Sequence, residues 1–144
     1  MNTLYTKMIE YYSGDPKRIQ HFTKVHSYAR LIGQLEHLSD DTQNILEIAA
    51  LVHDIGIKIS ELKYGNCNGK NQEKEGKAEA EKLLTELGYP QEVIERVSYL
   101  VGHHHSYDQI EGIDYQILVE ADFIVNMYED AEAEENCRKV CKRI

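Results

Sequence analysis

The chain has 144 residues, a formal net charge of −9 and 42% hydrophobic residues. This length and composition are typical of one globular domain, and they exclude a disordered tail, a collagen-like repeat and a low-complexity linker. The acidic balance argues against binding of long nucleic acid, which needs a basic footprint. It does not exclude a small phosphorylated ligand, for which one local cation suffices. We therefore expect a single domain over residues 1–144.

The sequence also carries expectations about location. No apolar run approaches the roughly 20 residues of a membrane span. The first twelve residues, MNTLYTKMIEYY, lack the charged start, apolar stretch and cleavage site of a signal peptide. We expect a cytoplasmic protein with no membrane contact, whose three cysteines stay reduced.

Helical periodicity predicts the elements in the first half of the chain. Asp15 and Pro16 predict the start of a helix, as an N-cap followed by proline at the first helical position. Asp40 or Asp41 is expected to cap a second helix that ends near Gly56. The apolar face predicted for the first of these helices contains Ile19, Phe22, His26, Ala29 and Ile32.

The second half continues the helical pattern. Residues 63–71 are rich in Gly and Asn, which predicts a loop. A third helix is expected from about Glu73 to Leu87, a fourth from near Gln91, and a long fifth helix from about Asp114. No segment shows sustained strand-type alternation, so the pattern predicts one compact all-α domain.

Four of these segments each direct a potential metal ligand toward the interior. His26 lies on an apolar helical face, His53 and Asp54 follow the apolar segment IAALV, and Asp122 interrupts the apolar run LVEADFIV. A histidine triplet at 103–105 follows another apolar helix. Each feature has an ordinary alternative, since a lone interior histidine is usually a core residue with a satisfied hydrogen bond. Asp122 is the hardest to explain that way, because a buried carboxylate is costly unless it is paired or bound to metal.

Taken together, these residues form a ligand set of mixed nitrogen and oxygen donors. Imidazole and carboxylate suit a divalent ion such as Fe, Mn, Co, Ni or Zn, and the residues alone leave the choice among them open. Four donors from His26, His53, Asp54 and Asp122 would leave coordination positions open for water. An open position distinguishes a catalytic metal from a structural one.

The order His26, His53-Asp54, Asp122 resembles the HD-domain superfamily of metal-dependent phosphohydrolases. The resemblance extends from Val25 to Asn126, which is most of the chain. It implies a helical bundle of about five to seven helices and a divalent metal held by His26, His53, Asp54 and Asp122.

Binuclear members of that superfamily carry two further histidine positions. The first falls within QEKEG at 72–76, which has no histidine, and Glu73 is the candidate for that place. For the second, helical phase from the preceding helix brings His104 inward, as a ligand or an oxyanion contact, with His105 as the next choice. We therefore expect one tightly held ion, with Glu73, His104 and His105 contacting water or phosphate. Lys58 could neutralise a substrate phosphate, although a solvated lysine is the ordinary alternative.

This resemblance implies a metal-dependent phosphohydrolase acting on a small phosphorylated molecule, most plausibly a nucleotide phosphomonoester or phosphodiester. Asp54 or a nearby acid would orient the attacking water, while Lys58 and the histidine triplet would balance developing charge. The alternative is a non-catalytic regulatory HD domain that binds a metal or a ligand. A metal-free helical scaffold would require the whole ligand set to be coincidental.

Overall fold

The computed structural model describes residues 1–66, 68–129 and 134–143, the side chains of residues 134 and 140 aside. These residues form eight α-helices and contain no strand. In chain order the helices are α1 (Asn2–Tyr11), α2 (Pro16–Leu35), α3 (Asp40–Val52), α4 (Gly56–Tyr64), α5 (Gly69–Glu86), α6 (Gln91–Val101), α7 (Ile113–Glu129) and α8 (Glu134–Arg143).

Helices α1 to α3 and α5 to α7 form one hydrophobic core and α4 packs against α5, which confirms the predicted all-α bundle. The central element is α3, which contacts α1, α2, α6 and α7. Its last five residues, 48–52, have no solvent exposure, as expected for a helix that is apolar on every side. Whatever follows α3 directly is therefore placed deep in the molecule.

The helix starts follow from local capping. The Asp15 carboxylate accepts a hydrogen bond from the backbone three residues on, as predicted for the start of α2. At α3 the cap is Ser39 and not Asp40 or Asp41, because the Ser39 hydroxyl accepts the equivalent bond. Both aspartates lie in the first turn instead, where they complement the positive end of the helix dipole.

The segment after α3 departs from the prediction. A turn at 53–55 ends α3 and a separate short helix, α4, begins at Gly56. The predicted loop at 63–71 is shorter than expected, since α4 continues to Tyr64 and α5 begins at Gly69. Asn68 caps α5 by accepting a hydrogen bond from a backbone N–H, which explains why that helix starts earlier than Glu73.

Helices α4 and α5 approach so closely that their backbones are in contact. A Cβ atom at Gly56 would lie 2.3 Å from the backbone oxygen of Gln72 and 2.5 Å from the backbone nitrogen of Gly76. Only glycine fits at Gly56, and this contact holds α5 against the turn that follows α3.

Within the described residues, no helix combines the length and the apolar character needed to cross a membrane.

We predict that Gly56→Ala lowers the free energy of unfolding by about 3 kcal/mol, since backbone atoms cannot rotate away from the new methyl group. The matched control is Gly69→Ala, whose Cβ would meet its nearest neighbour at an ordinary 3.4 Å. Alanine there should be neutral or slightly stabilising. Urea denaturation of both variants measures the difference, and equal stabilities would contradict the close packing of α4 on α5.

Candidate metal centre

Three helices and one turn bring two histidines and two aspartates together in the interior. His53 ends α3 and Asp54 follows it in the turn, and both side chains reach the same space. Asp122 comes from the middle of α7 and His21 from the first half of α2. His53 is fully buried, and Asp122 and His21 are only 4% and 6% exposed.

The donor atoms of these four residues converge on one point. His21 Nε2 lies 3.2 Å from His53 Nε2 and 3.1 Å from Asp122 Oδ1. It also lies 3.0 Å from Asp54 Oδ2. His53 Nε2 lies 3.3 Å from each of the same two carboxylate oxygens. All four donors thus fall within 4.8 Å of one another.

Hydrogen bonds at the far side of each ring fix which nitrogen faces this point. His21 Nδ1 lies 3.2 and 3.1 Å from the two carboxylate oxygens of Glu129. His53 Nδ1 lies 2.7 Å from the backbone oxygen of Ala50. Because a carboxylate and a carbonyl can only accept, each Nδ1 donates. A neutral ring of this kind presents a lone pair at Nε2, as a metal ligand must.

Four acceptors facing one another require positive charge between them. In the metal-free chain protons supply it. Burial alone lowers the pKa of His21, but hydrogen bonds to Asp122 and Asp54 raise it to about 9. Burial opposes protonation of His53 too, yet the charges of Asp54 and Asp122 raise its pKa well above the usual value. A divalent cation would supply the same charge in place of those protons.

The spacing of the four donors fits a transition-metal ion. Bonds of about 2.1 Å at right angles place neighbouring donors about 3.0 Å apart. The measured separations between Nε2 and carboxylate oxygens in the cluster run from 3.0 to 3.3 Å. Two imidazoles and two carboxylates also match the donor preference of Fe, Mn, Co, Ni or Zn.

His104 adds an unpaired donor beside the cluster. Its Nδ1 lies 2.7 Å from the backbone oxygen of Val101, so its Nε2 also faces inward. That Nε2 is buried, has no hydrogen-bond partner among the residues that the structure describes, and lies 3.5 Å from Asp54 Oδ1. Asp54, His104 and His105 form a second group that could hold an ion, although His105 Nε2 is already 2.9 Å from Gln72 Oε1.

The structure corrects the position of the first histidine. His26 does not reach the cluster, since its Nε2 lies 3.1 Å from Glu47 and its ring packs edge-on against Tyr5. Five residues separate His21 from His26, which turns their side chains about 140° apart around α2. His21 shares a helical stripe with Val25 and Ala29, both fully buried, and that spacing was the signal in the sequence.

Glu73 also lies outside the cluster. Its carboxylate accepts hydrogen bonds from the His105 backbone nitrogen and the Ser106 hydroxyl, and so it holds the histidine turn from outside. Gln72, one residue earlier and about 100° around α5, faces the site instead. The sequence pattern thus predicted the correct helix, α5, but selected Glu73 where the adjacent residue Gln72 faces the site.

Lys58 points away from the cluster as well. Its Nζ donates to the backbone oxygen of Tyr11, 3.2 Å away, at the C-terminal end of α1. A cation is favourable there because helix carbonyls give that end a negative charge. Two cations that no sequence motif marked, Lys17 and Arg18, line the cavity beside the cluster instead.

A polar cavity of about 170 Å³ opens onto three of the four residues, while His53 lies buried behind them. His21, Asp54 and Asp122 form its floor, and Lys17 and Arg18 lie at its wall. Gln72, His105, Asn126 and Glu129 line the remainder with Ile57. The arrangement can bind a metal ion at the floor and an anion above it.

The HD-domain family model matches residues 18–144. The chain therefore belongs to the HD-domain family, as the sequence indicated. The matched region begins before His21 and so includes all four converging residues. No curated protein and no solved structure matches the chain.

We predict that His21→Ala removes the bound metal and that His26→Ala retains it, since only His21 faces the cluster. The two variants are matched, because they delete the same side chain from the same helix. Elemental analysis of the purified proteins measures the metal content. Full metal content in His21→Ala, or its loss in His26→Ala, would contradict the assignment.

Glu129→Ala should weaken metal affinity roughly 10- to 100-fold, as expected when the partner that orients a ligating histidine is lost. Glu129→Gln keeps an acceptor for His21 Nδ1 but loses the charge, so its affinity should be intermediate. Glu120→Gln is the control, because Glu120 lies on the same helix and pairs with Gln116. Competition with a chromophoric chelator gives the affinities, and equal values in all three variants would exclude this role.

Proposed function

We propose that this HD-domain chain is a metal-dependent phosphohydrolase. The observation that carries the proposal is a polar cavity with a ligand set at its floor and two cations at its wall. We infer a small phosphorylated substrate, a nucleotide phosphomonoester or phosphodiester being the first candidate. The net charge of −9 disfavours long nucleic acid. The location we propose is the cytoplasm.

His21, His53, Asp54 and Asp122 would hold the ion. When bound, it would lower the pKa of a coordinated water and polarise a phosphoryl oxygen. The protein contributes the fixed orientation of the donors, since each imidazole is locked at Nδ1 by an acceptor. One ion held by these four ligands is the arrangement we propose.

Asp54 and His104 are the residues suited to orient the attacking water. Asp54 Oδ2 faces the four-donor cluster, whereas Oδ1 faces the unpaired Nε2 of His104. A buried imidazole nitrogen without a partner is costly, and a water bound to both groups would satisfy it. His105 and Gln72 complete this side of the cavity and keep the water in place.

Lys17 and Arg18 are suited to bind the phosphoryl group. Lys17 is exposed and makes no ion pair with any residue in the described part of the chain. Arg18 is half-buried and loosely held, 3.4 Å from Glu61 and 3.9 Å from Asp15. These cations take the role that the sequence analysis gave to Lys58.

The reaction requires no other co-substrate than water. The water oxygen forms a new bond to phosphorus while the bond from phosphorus to the ester oxygen breaks. The departing oxygen receives a proton, and inorganic phosphate or a phosphomonoester leaves the site. Lys17 and Arg18 would balance the charge that develops on the phosphoryl oxygens.

A substrate screen tests this proposal. Protein loaded in turn with Mn²⁺, Fe²⁺, Co²⁺, Ni²⁺ and Zn²⁺ is assayed for phosphate release from nucleoside mono-, di- and triphosphates. The same preparations are assayed for phosphomonoester release from phosphodiesters. Turnover that Asp54→Asn abolishes would support the phosphohydrolase. Nucleotide binding without turnover under every metal would instead favour the regulatory HD domain.

Lys17→Ala should lower kcat/KM by roughly 10-fold or more, because it removes an unpaired cation from the phosphate side of the cavity. Metal content should not change. Lys82→Ala, an exposed lysine on α5, is the control. Steady-state kinetics on the best substrate of the screen gives the ratio, and equal kinetics in the two variants would remove Lys17 from the site.

A further inference from the structure

A second depression lies directly beside the metal centre. It measures about 110 Å³ and shares two wall residues, Arg18 and Ile57, with the cavity described above. Tyr12 lies in its wall and donates a hydrogen bond of 2.6 Å to the backbone oxygen of Asp54. Tyr12 therefore contacts both the depression and the backbone of the ligand residue Asp54.

The size of the cavity over the metal centre leaves room for little more than a phosphoryl group. Its volume of about 170 Å³ falls below the roughly 300 Å³ of the smallest pockets that enclose a drug-sized ligand. The organic part of a phosphate ester must extend past the wall. Arg18 lies in that wall. Its ion-pair contacts of 3.4 Å to Glu61 and 3.9 Å to Asp15 are long, so its side chain can move when a substrate binds.

The charged side chains that line the second depression balance one another. Lys58 and Arg18 contribute two cations, and Asp15 and Glu61 contribute two carboxylates. A second phosphate would lie against those carboxylates, and like charges at contact distance repel. Hydroxyl groups suit both the carboxylates and the cations, because a hydroxyl donates to a carboxylate and accepts from an ammonium or guanidinium group.

Apolar surface completes the depression. Ile57 lies in its wall, and the ring of Tyr11 lies beneath Lys58 Nζ at 5.1 Å. A sugar ring combines an apolar face of C–H groups with hydroxyls at its edge, and so matches both surfaces.

Building on the proposed function, we propose that this second depression, lined by Tyr11, Asp15, Arg18, Ile57, Lys58 and Glu61, binds the leaving group of the substrate. It takes a hydroxylated leaving group such as a sugar or nucleoside. The substrate class is therefore a phosphomonoester of a polyol, and not a diphosphate or triphosphate.

The experiment compares three substrates on the metal-loaded protein. Ribose 5-phosphate carries hydroxyls, phenyl phosphate carries none, and adenosine 5′-diphosphate carries a second phosphate. We expect kcat/KM for ribose 5-phosphate to exceed the other two values by roughly 10-fold or more, because a site built to bind hydroxyls discriminates against analogues that lack them.

Two variants test the residues. Glu61→Gln and Lys58→Ala should each reduce the preference for ribose 5-phosphate over phenyl phosphate by at least about 5-fold, through KM. Glu86→Gln, exposed on α5, is the matched control and should keep the wild-type preference. Circular dichroism and thermal melting establish that each variant is folded.

The possible results separate this inference from the proposed function. Hydrolysis with no preference for ribose 5-phosphate, or with a preference that both variants retain, would overturn the leaving-group site and leave the phosphohydrolase standing. A preference for the diphosphate would overturn the substrate class. No hydrolysis of any ester under any metal would overturn both.

Discussion

The arrangement of the whole molecule depends on four acceptors that meet inside the helical bundle, at the base of a polar cavity. Two imidazoles donate outward from Nδ1 and point their other nitrogen at two carboxylates, with separations of 3.0 to 3.3 Å. Such a cluster is repulsive without a cation. The surrounding structure holds it in place, since His53 follows the most deeply buried segment of α3 and Asp122 lies within the core face of α7. A fold that holds such an unfavourable cluster of titratable groups in place indicates a functional site.

The neighbouring helices add the polar and positively charged side chains that line the cavity beside the ligand set. The backbone contact between Gly56 and Gly76 brings α5 to the turn that carries Asp54, and Gln72 enters the cavity with it. The first turn of α2 places Lys17 and Arg18 at the open side, although the chain as a whole is acidic. Negative charge is thus concentrated at the metal ligands, and positive charge lies where a phosphate would enter. This division of charge explains how an acidic protein can bind an anionic substrate.

The sequence predicted the helical class, and it identified His53, Asp54, Asp122 and His104 from apolar context and helical phase. Each wrong prediction concerns the direction in which a helical side chain points. The buried face of α2 is broad, and His21 and His26 lie near its two edges, so an inward position alone could not separate them. A shift of one residue, about 100° on a helix, decided between Glu73 and Gln72. The direction of Lys58 depends on α4 packing beside the end of α1, and no local pattern records such a contact.

The most direct measurement of the central claim is an anomalous difference map from crystals of the metal-loaded protein, recorded at the absorption edge of the metal. The account predicts one strong peak within about 2.3 Å of His21 Nε2, His53 Nε2 and a carboxylate oxygen of each of Asp54 and Asp122. A peak between His26 and Glu47, or no peak at the four-residue cluster in protein whose metal content is stoichiometric, would contradict it.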